Sequence, residues 1–554
     1  MRKNFFAFLL AITLLLPSVA FGQAVVKISN AERAMATGVT AEQLKQYLYF
    51  VASDAMGGRD TPSQGLDVTA EFIKMNLWKW GFKPAGDNGT FFQKMTLNRE
   101  AVDTANAFME VGGQRYAFGE DFFRMAGNTT GTLEKPLVFV GNGWLVKSKN
   151  IDSYAGLDVS GKIVVVQMQG APTNASLRIL PKGVTQADLK PAAKGTDWAD
   201  PAAYAQQKGA AGLIYIASPE LQGFWGQIKQ FLGRGGAMKV KGLEDEPAPT
   251  TSALPVILAS QKVGEALFAG ESANSVKTPD TAPFTFSPAK KIGISVKGIT
   301  DTATTQNVVA IWEGSDPILK NEMVAIGAHY DHVGTNPNAP GPDKIWNGAD
   351  DDGSGTVAVL AIAEALAKAK TRPKRSILFV WHAGEEKGLW GSEYFNKFPT
   401  VDIKQVVAQL NIDMIGRSRK ADDVNPKNKD LSGENAIYVI GAEMMSSTLG
   451  AITKQTNDAY LKMTYDYRYD DPKDTNRFFF RSDHFNYAVN GIPVAFWFDG
   501  VHEDYHGPGD HADKIDYAKM EKVTRTIMLT MLEISDLKER PKVDKQLPAE
   551  LTQR

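Results

Sequence analysis

Three consecutive aspartates stand between glycines in the segment Trp346–Thr356, which reads WNGADDDGSGT. Asp350, Asp351 and Asp352 repel one another when ionised, so a folded chain tolerates them best beside a bound cation. The flanking glycines allow the backbone to bend sharply and to approach a ligand closely. The segment therefore predicts a metal site; an acidic surface loop and a calcium-binding loop are the alternatives.

These aspartates are expected where a strand passes into a helix. Val324–Asp331 (VAIGAHYD) is typical of a buried strand, and Thr356–Lys370 is a helix pattern rich in Ala, Leu, Glu and Lys. Open α/β sheets carry their sites at such connections. Because strand and helix patterns go on alternating, we expect an α/β fold with a mixed, mostly parallel sheet sandwiched by helices. The further strands are expected at Ser376–Trp381, Val406–Met414, Ile437–Ile440 and Ile492–Phe498, and further helices at Glu443–Asn457 and Tyr517–Leu537.

The middle of the chain has a different pattern. Lys162–Gln169, Gly212–Ile216 and Leu254–Leu258 are short β-rich runs, whereas Leu221–Thr250 is glycine-rich and is expected to be irregular. A chain of 554 residues is too long for one compact core, so we expect a mostly β domain inserted over residues 136–290. The remaining expected segments are a signal peptide (residues 1–22), the two parts of the main domain (23–135 and 291–540) and a polar tail (541–554).

Composition and the N-terminus narrow the class of protein. Apolar residues make up 43% of the chain and charged residues 22%, an ordinary globular mix, and the net charge of −2 argues against nucleic acid as a partner. Arg2 and Lys3 precede the apolar run Phe5–Leu16 and a small-x-small cleavage site that ends at Gly22. The run is too short to span a membrane, so we expect an exported protein, periplasmic or secreted. An uncleaved membrane anchor is the alternative.

The histidines indicate a site built by the second half of the chain. All seven lie between residues 329 and 511, and there is no cysteine, so a metal would be bound by His, Asp and Glu. His329 and Asp331 stand two residues apart near the end of a strand and therefore share a face. A ligand histidine usually has a carboxylate or carbonyl on its other ring nitrogen, and Asp331 is placed for that or a nearby role.

Further candidates follow the other strands. Glu385 and Glu386 lie in the glycine-flanked segment AGEEKG, where both can turn inward, one as a metal ligand and one as a general base. A solvated charged loop is the alternative for this pair. Asp413 ends the apolar run QLNIDMIG, where an unpaired charge would be costly. His506 and Asp510 lie in the glycine- and proline-rich loop DYHGPGD.

The segment His502–His506 (HEDYH) matches the H-E-x-x-H motif of mononuclear zinc proteases. That motif requires a helix, on which the two histidines share a face. Asp499 and Gly500 precede the segment and Gly-Pro-Gly follows it, which leaves too little length for a stable helix. The mononuclear zinc-protease interpretation is therefore the disfavoured alternative for this segment.

Five motifs resemble, in order and approximate spacing, those of the co-catalytic di-zinc aminopeptidases: GAHYDH, NGADDDGSG, EEKGLWGS, NIDMIG and DYHGPGD. That family includes secreted bacterial leucyl aminopeptidases, glutamate carboxypeptidase II and the transferrin receptor. The segment LYFVASDAMGGRDTPSQG resembles the family's N-terminal helix and loop. YAGLDVSGKIVVVQ, followed by AYAQQKGAAGLIYI, resembles the protease-associated domain that is often inserted in this family. The resemblance covers most of the mature chain and implies the zinc peptidase fold with that insertion.

The resemblance also implies a centre of two Zn²⁺ ions, for which cobalt or manganese could substitute. One ion would be bound by His329, Asp351 and Asp413, and the other by Asp351, Glu386 and His506, so that Asp351 bridges the two. The charges of the two ions would be balanced by the three carboxylates and one shared hydroxide.

The remaining site residues take their expected roles from the same resemblance. Glu385 matches the general base, and Tyr505 matches a tyrosine that stabilises the oxyanion in some members. Asp331, Asp352 and Asp510 would contact the ligand residues without binding the metal. Asp352 would follow Asp351 across a cis peptide bond. Asp350 is then an extra acid without an assigned role.

The function implied by the resemblance is an aminopeptidase that hydrolyses N-terminal residues from peptides. A carboxypeptidase or dipeptidase using the same site, a glutaminyl cyclase and a catalytically inactive receptor-like binding protein are the alternatives. The intact Glu385 and the complete ligand set favour an enzyme. The sequence carries no signal for an oligomeric state.

Overall fold

The computed structural model describes residues 26–127, 135–170, 179–189, 193–232, 238–243, 254–278 and 280–547. The chain divides into two compact units, one formed by residues up to 94 together with those from 306 onward, and one formed by residues 95–305. The predicted signal peptide and the end of the predicted polar tail lie outside the described residues. Within the described residues, no helix has the length and apolar character needed to cross a membrane.

Helices and strands alternate along both units. In chain order, the helices are α1 (Asn30–Ala36), α2 (Ala41–Val51), α3 (Gln64–Lys79), α4 (Gln186–Leu189), α5 (Pro201–Gln207), α6 (Pro219–Gly223), α7 (Trp225–Leu232), α8 (Gln261–Phe268), α9 (Gly355–Lys368), α10 (Trp390–Lys397), α11 (Ser447–Ala459), α12 (His484–Val489) and α13 (Tyr517–Asp536). The strands are β1 (Lys83–Pro84), β2 (Phe92–Val102), β3 (Phe108–Val111), β4 (Gln114–Ala117), β5 (Phe122–Ala126), β6 (Leu137–Phe139), β7 (Leu145–Val146), β8 (Ile151–Asp152), β9 (Ile163–Gln167), β10 (Trp198–Ala199), β11 (Gly212–Ile216), β12 (Lys239–Val240), β13 (Val256–Ala259), β14 (Phe284–Thr285), β15 (Ile292–Ser295), β16 (Gly298–Trp312), β17 (Met323–His329), β18 (Ser376–His382), β19 (Val406–Ile412), β20 (Ala436–Ile440), β21 (Thr464–Asp466) and β22 (Val494–Phe498).

The first unit is built around a mixed sheet with a parallel centre. From β16 the strands follow in the order β18, β17, β19, β22, β20 and β21. The four strands β18, β17, β19 and β22 run parallel to one another, and β16 and β20 flank them in antiparallel pairing. Every residue of β17, β18 and β19 is buried, as expected for strands covered on both faces. The predicted mixed, mostly parallel sheet is confirmed.

Helices cover this sheet in two layers. Helices α2, α9 and α13 pack on one another, and α9 and α13 contact β17 and β19. Helices α10 and α12 pack together and contact β18, β19 and β22. In β17, Met323 and Ala325 belong to the core cluster that contains Phe395 of α10 and Tyr487 of α12. Because side chains alternate along a strand, the residues between them face the other layer.

The candidate site residues follow from where these strands end. His329 is the last residue of β17 and pairs in register with His382, the last residue of β18. Asp413 comes directly after β19, and α9 begins at Gly355, just after the three aspartates. The parallel centre of the sheet therefore brings these chain segments to one edge.

The second unit is β-rich, as predicted. Its largest sheet has the strand order β14-β6-β9-β11-β13-β5, with a parallel centre from β6 to β13 and antiparallel pairing at both edges. The antiparallel sheet β15-β3-β4 shares a core with it, in which Met109 packs with Phe139 and Val165. One local prediction is wrong: the segment Leu221–Thr250 is not irregular throughout, because α7 lies there with apolar residues at helical spacing.

Candidate metal centre

Five candidate ligands meet at the edge formed by the carboxyl ends of the central strands. His329 ends β17, Asp351 lies in the turn before α9, Glu386 follows β18, Asp413 follows β19, and His506 lies in the loop after β22. Four of them are almost fully buried, and His506 has 38% of its side chain exposed. The structure therefore brings together all five residues that the sequence predicted as ligands.

The first group of ligand atoms surrounds His329. Its Nε2 atom lies 3.3 Å from Oδ1 of Asp351 and 3.7 Å from Oδ1 of Asp413. These three ligand atoms all lie within 4.8 Å of one another, which is close enough for one metal ion to contact all of them.

The second group surrounds His506. Its Nε2 atom lies 3.1 Å from Oδ2 of Asp351 and 3.0 Å from Oε2 of Glu386. A further histidine belongs to this group, because Nδ1 of His332 lies 2.8 Å from Oε1 of Glu386 and 3.8 Å from Oδ2 of Asp351. Asp351 thus turns Oδ1 towards the first group and Oδ2 towards the second, the geometry of a bridging carboxylate.

Several of these atoms are buried and make no well-aligned hydrogen bond among the described residues, although they lie close to one another. They are Nε2 of His329, both ring nitrogens of His332, Oδ2 of Asp351 and Oε1 of Glu386. Buried polar atoms without partners cost about 1–3 kcal/mol each, so such a concentration is unusual in a folded protein. Metal ions between these atoms would satisfy them, and a set of imidazoles and carboxylates fits zinc.

The turn that carries Asp351 depends on a glycine. Gly348 has φ of 56°, and a Cβ atom at this position would come within 2.3 Å of the carbonyl oxygen of Asp351. Only glycine adopts this conformation in this space without displacing the turn. The peptide bond between Asp351 and Asp352 is cis, as the resemblance implied.

Glu385 lies beside the first group. Its Oε2 atom is 3.9 Å from Nε2 of His329. Burial raises the pKa of the Glu385 carboxyl well above its usual range, against the opposing charge of His329 and with the help of Glu386 and Asp413. Asp351 behaves in the opposite way: burial alone would raise its pKa, but His329 and His506 hold it well below the usual range.

Asp331, Asp352 and Asp510 support the backbone of the site. The carbonyl oxygen of Asp331 lies 3.1 Å from Nδ1 of His329, and its Oδ1 accepts a hydrogen bond from the backbone N–H of Glu385. Oδ1 of Asp352 accepts from the backbone N–H of Gly355 and of Met414. Oδ2 of Asp510 accepts from the backbone N–H groups of residues 350 and 351.

A pocket lined by charged, aromatic and aliphatic residues adjoins the two groups, and Tyr505 lies in its wall. The pocket is lined by Asp351, Glu385, Asp413, Met414, Phe478, Arg481, Phe496, Phe498, Val501 and Tyr505. Burial raises the pKa of the Tyr505 hydroxyl well above its usual range, so this group keeps its proton. The hydroxyl oxygen lies 3.0 Å from Nη2 of Arg481, which donates a hydrogen bond to it.

The sequence interpretation missed three residues at the site. Arg481 directly follows three phenylalanines in a segment outside the strands, and the sequence of that segment did not indicate that Arg481 belongs to a site. His332 stands three residues after His329, and the sequence GAHYDH shows it plainly, but only the first histidine of that motif was assigned. Arg59 is fully buried and donates to the carbonyl oxygens of Tyr330 and Gly348, close to the two loops that carry candidate ligands. Every residue has a backbone carbonyl group, so the sequence could not indicate which of them Arg59 would contact.

The HEDYH segment behaves as the sequence predicted. Residues 502–506 form turns rather than a helix, and the two histidines point to different neighbours. His506 faces the ligand groups, whereas Nε2 of His502 lies 3.3 Å from Oδ2 of Asp350. The mononuclear zinc-protease interpretation of this segment is therefore excluded.

Comparison with known families agrees with this arrangement. Residues 307–531 match the model described as Peptidase family M28, and residues 133–267 match the PA domain. Residues 307–531 therefore belong to Peptidase family M28. All five candidate ligands, Glu385 and Tyr505 lie within the segment that matches M28.

Curated relatives of this chain include proteins named as leucine aminopeptidases. The chain is 33% identical to a probable leucine aminopeptidase of Arthroderma otae over 214 residues, which make up 37% of this chain and 52% of that protein. It is 36% identical to leupeptin-inactivating enzyme 1 of Streptomyces exfoliatus over 115 residues, or 21% of this chain and 23% of that protein. The chain spans about half the length of the leucine aminopeptidases that it matches.

Solved structures similar to this chain include two aminopeptidases. The aminopeptidase from Aneurinibacillus sp. strain AM-1 is 17% identical, with a TM-score of 0.45 over 93% of this chain and 98% of that chain. A zinc aminopeptidase from Bacillus subtilis is 18% identical, with a TM-score of 0.43 over 91% of this chain and 99% of that chain.

Proposed function

We propose that this M28 protein is a zinc metallopeptidase that removes N-terminal residues from peptides. The observation that carries the proposal is the pair of ligand groups that share Asp351, with the carboxylate of Glu385 beside them. Two groups of metal ligands that share one carboxylate, with a further carboxyl group beside them, are an arrangement suited to metal-assisted hydrolysis.

The proposed metal ligands divide between two zinc ions. His329, Asp351 and Asp413 would bind one ion, and Asp351, Glu386, His506 and His332 would bind the other. The close approach of these atoms and their lack of hydrogen-bond partners support this assignment. His332 is an addition to the set that the sequence suggested.

When bound, two zinc ions would lower the pKa of a water molecule and polarise the scissile carbonyl. Glu385 is the residue that accepts the proton of the attacking water and passes it to the leaving amine. Asp331 fixes this carboxylate by accepting the backbone N–H of Glu385. The hydroxyl oxygen of Tyr505 accepts from Arg481, which leaves the phenolic proton free to be donated to the oxyanion.

The pocket beside the centre indicates the kind of side chain that is bound. The aromatic and aliphatic part of its lining suits an apolar side chain at the N-terminal residue of the substrate. The acidic groups at the base of the pocket suit a neighbouring α-ammonium group. Peptides with an apolar N-terminal residue are therefore the proposed substrates.

One observation favours a second candidate function. Arg481 stands in the wall of the same pocket and could bind a carboxylate, which would suit a carboxypeptidase or a dipeptidase. We rank this function second, because the guanidinium already donates to Tyr505.

Two wider properties of the protein are also proposed. Export to the periplasm or the medium is supported by the signal-peptide pattern over residues 1–22. An inserted protease-associated domain over residues 136–290 is supported by the PA match at residues 133–267 and by the β-rich second unit.

Hydrolysis of leucyl-p-nitroanilide, N-acetyl-leucyl-p-nitroanilide and a peptide blocked at its N-terminus tests these functions with zinc-loaded protein. An aminopeptidase cleaves the first substrate alone. Cleavage only of the blocked peptide from its C-terminal end would establish the carboxypeptidase. Full zinc content without turnover of any of the three, or of unblocked dipeptides, would contradict the peptidase assignment and favour a receptor-like protein.

A further inference from the structure

Asp350 and His502 form a buried pair next to the ligand groups. Oδ2 of Asp350 lies 3.3 Å from Nε2 of His502, and both side chains are fully buried. Neither residue belongs to the two groups of candidate metal ligands among the described residues. The proposed chemistry therefore leaves two buried, titratable side chains next to the centre without a role.

Asp350 joins three of the loops that build the centre. Its own backbone precedes Asp351, and its Oδ1 atom accepts a 2.7 Å hydrogen bond from the backbone N–H of Gly416, in the loop that follows Asp413. Its Oδ2 atom reaches His502, in the loop that carries His506. One carboxylate therefore contacts the loops of three candidate ligands.

His502 holds the turn that presents Tyr505 and His506. The carbonyl oxygen of His502 accepts a hydrogen bond from the backbone N–H of Tyr505. His506 itself has φ of 49°, which is uncommon for a residue other than glycine and needs support from its surroundings. The loop is held on its other side by Asp504, which pairs with Arg417 at 2.9 Å.

Other charged groups surround the pair. Arg417 and Lys519 carry positive charge close to Asp350. Asp499 and Asp510 add negative charge there, and the charge of His502 acts on Asp510 as well. What His502 adds is a fixed connection between the aspartate turn and the loop after β22.

We propose that Asp350 and His502 are positioning residues that fix the loop of Tyr505 and His506 against the bridging Asp351. This inference rests on the proposed function, in which His506 binds the second ion and Tyr505 stabilises the oxyanion. Outer partners of metal ligands commonly change metal affinity or activity by about 10–100-fold, and a displacement of about 1 Å at a catalytic group has a similar effect.

Chelator competition on the zinc-loaded full chain tests the pair without reference to activity. In His502→Ala, the zinc bound by the second group should be removed at about 10–100-fold lower chelator concentration, whereas the zinc bound by the first group should be retained as in the unmodified protein. His502→Gln should restore most of the affinity, because its amide can donate to Asp350. His511→Ala is the matched control, since His511 is a partly exposed histidine whose imidazole lies 3.2 Å from Asp343 and belongs to neither ligand group.

Kinetics provide the second readout. His502→Ala should lower kcat about 10–100-fold with little change in KM, and the combination of Asp350→Asn with His502→Ala should be no worse than the more severe single variant. Equal loss of both zinc ions, or unchanged zinc affinity together with unchanged kcat, would overturn the proposal. If His502→Ala does not fold, His502→Gln and Asp350→Asn carry the same comparison. If the unmodified protein binds zinc but hydrolyses no peptide, the proposed function fails while the chelator experiment still decides the role of the pair.

Discussion

Replacing Glu385 with glutamine should separate proton transfer from metal binding. Glutamine has nearly the same shape, and the side chain is only 12% exposed, so the space beside His329 stays filled. The backbone N–H of residue 385 can still donate to Asp331. The variant loses the carboxylate that accepts the proton of water, and a positioned general base contributes about 10²–10⁴-fold. We expect kcat to fall about 10³-fold, which corresponds to about 4 kcal/mol, with little change in KM.

Stability should respond in the opposite direction to activity. Burial raises the pKa of Glu385, opposed by the charge of His329 and helped by those of Glu386 and Asp413, so the carboxylate is poorly accommodated when no metal is bound. A neutral glutamine removes that repulsion, and the thermal midpoint of the metal-free variant should equal or exceed that of the unmodified protein.

The assay combines kcat and KM on leucyl-p-nitroanilide with zinc content and thermal unfolding. Glu434→Gln is the matched control, because Glu434 is an exposed glutamate paired with Lys420 on the surface. A Glu385→Gln protein that retains two zinc ions and has kcat within about tenfold of the unmodified protein would refute the general-base role. Loss of one zinc ion would instead show that Glu385 is a ligand.

Three further outcomes are expected. Removal of metal by a chelator should abolish turnover and lower the thermal midpoint by several degrees, and added zinc should restore both, because bound ligand at about 100 times its Kd contributes about 2.7 kcal/mol; an unchanged midpoint would argue against metal binding. His332→Ala should release zinc more readily than His511→Ala, since His332 lies 2.8 Å from Glu386, and equal retention would remove His332 from the ligand set. Burial raises the pKa of Asp470 to about 6, so the protonated carboxyl favours folding below about pH 4 and this contribution is lost as the pH rises to about 6. Asp470→Asn should therefore raise the free energy of unfolding at pH 8 by about 1–2 kcal/mol and leave it unchanged at pH 4, as measured by thermal scans.

Much of the centre could be predicted because local patterns fix where the strands end. The apolar runs of β17 and β19 predicted buried strands, and His329 and Asp413 stand where those runs stop. Parallel neighbours then bring such positions to the same edge. The glycines around Asp351 also gave a local signal, since Gly348 requires a positive φ that few other residues adopt.

Contacts between distant parts of the chain left no comparable signal. Arg59 donates to carbonyl oxygens of Tyr330 and Gly348, which lie more than two hundred residues away along the chain. His332 could be assigned only once Glu386 was found beside it, because a histidine three residues past a candidate ligand is equally compatible with a buried core position. The helix α7 was missed for another reason, because two glycine-rich stretches around it obscured its helical spacing.

The three aspartates show why identical neighbours in a sequence can acquire different roles. Asp350 turns towards Gly416 and His502, and Asp351 turns towards His329 and His506. Asp352 accepts two backbone N–H groups at the start of α9 and after β19, and burial raises its pKa well above the usual range. Repulsion between the three adjacent carboxylates is thus relieved because each one contacts different partners. Only the middle aspartate, Asp351, contacts candidate metal ligands on both sides. The sequence could indicate that the three charges needed a cation nearby. Which aspartate would face it depended on partners in three other segments, at the end of β17 and after β19 and β22, and those partners come together only in the folded chain.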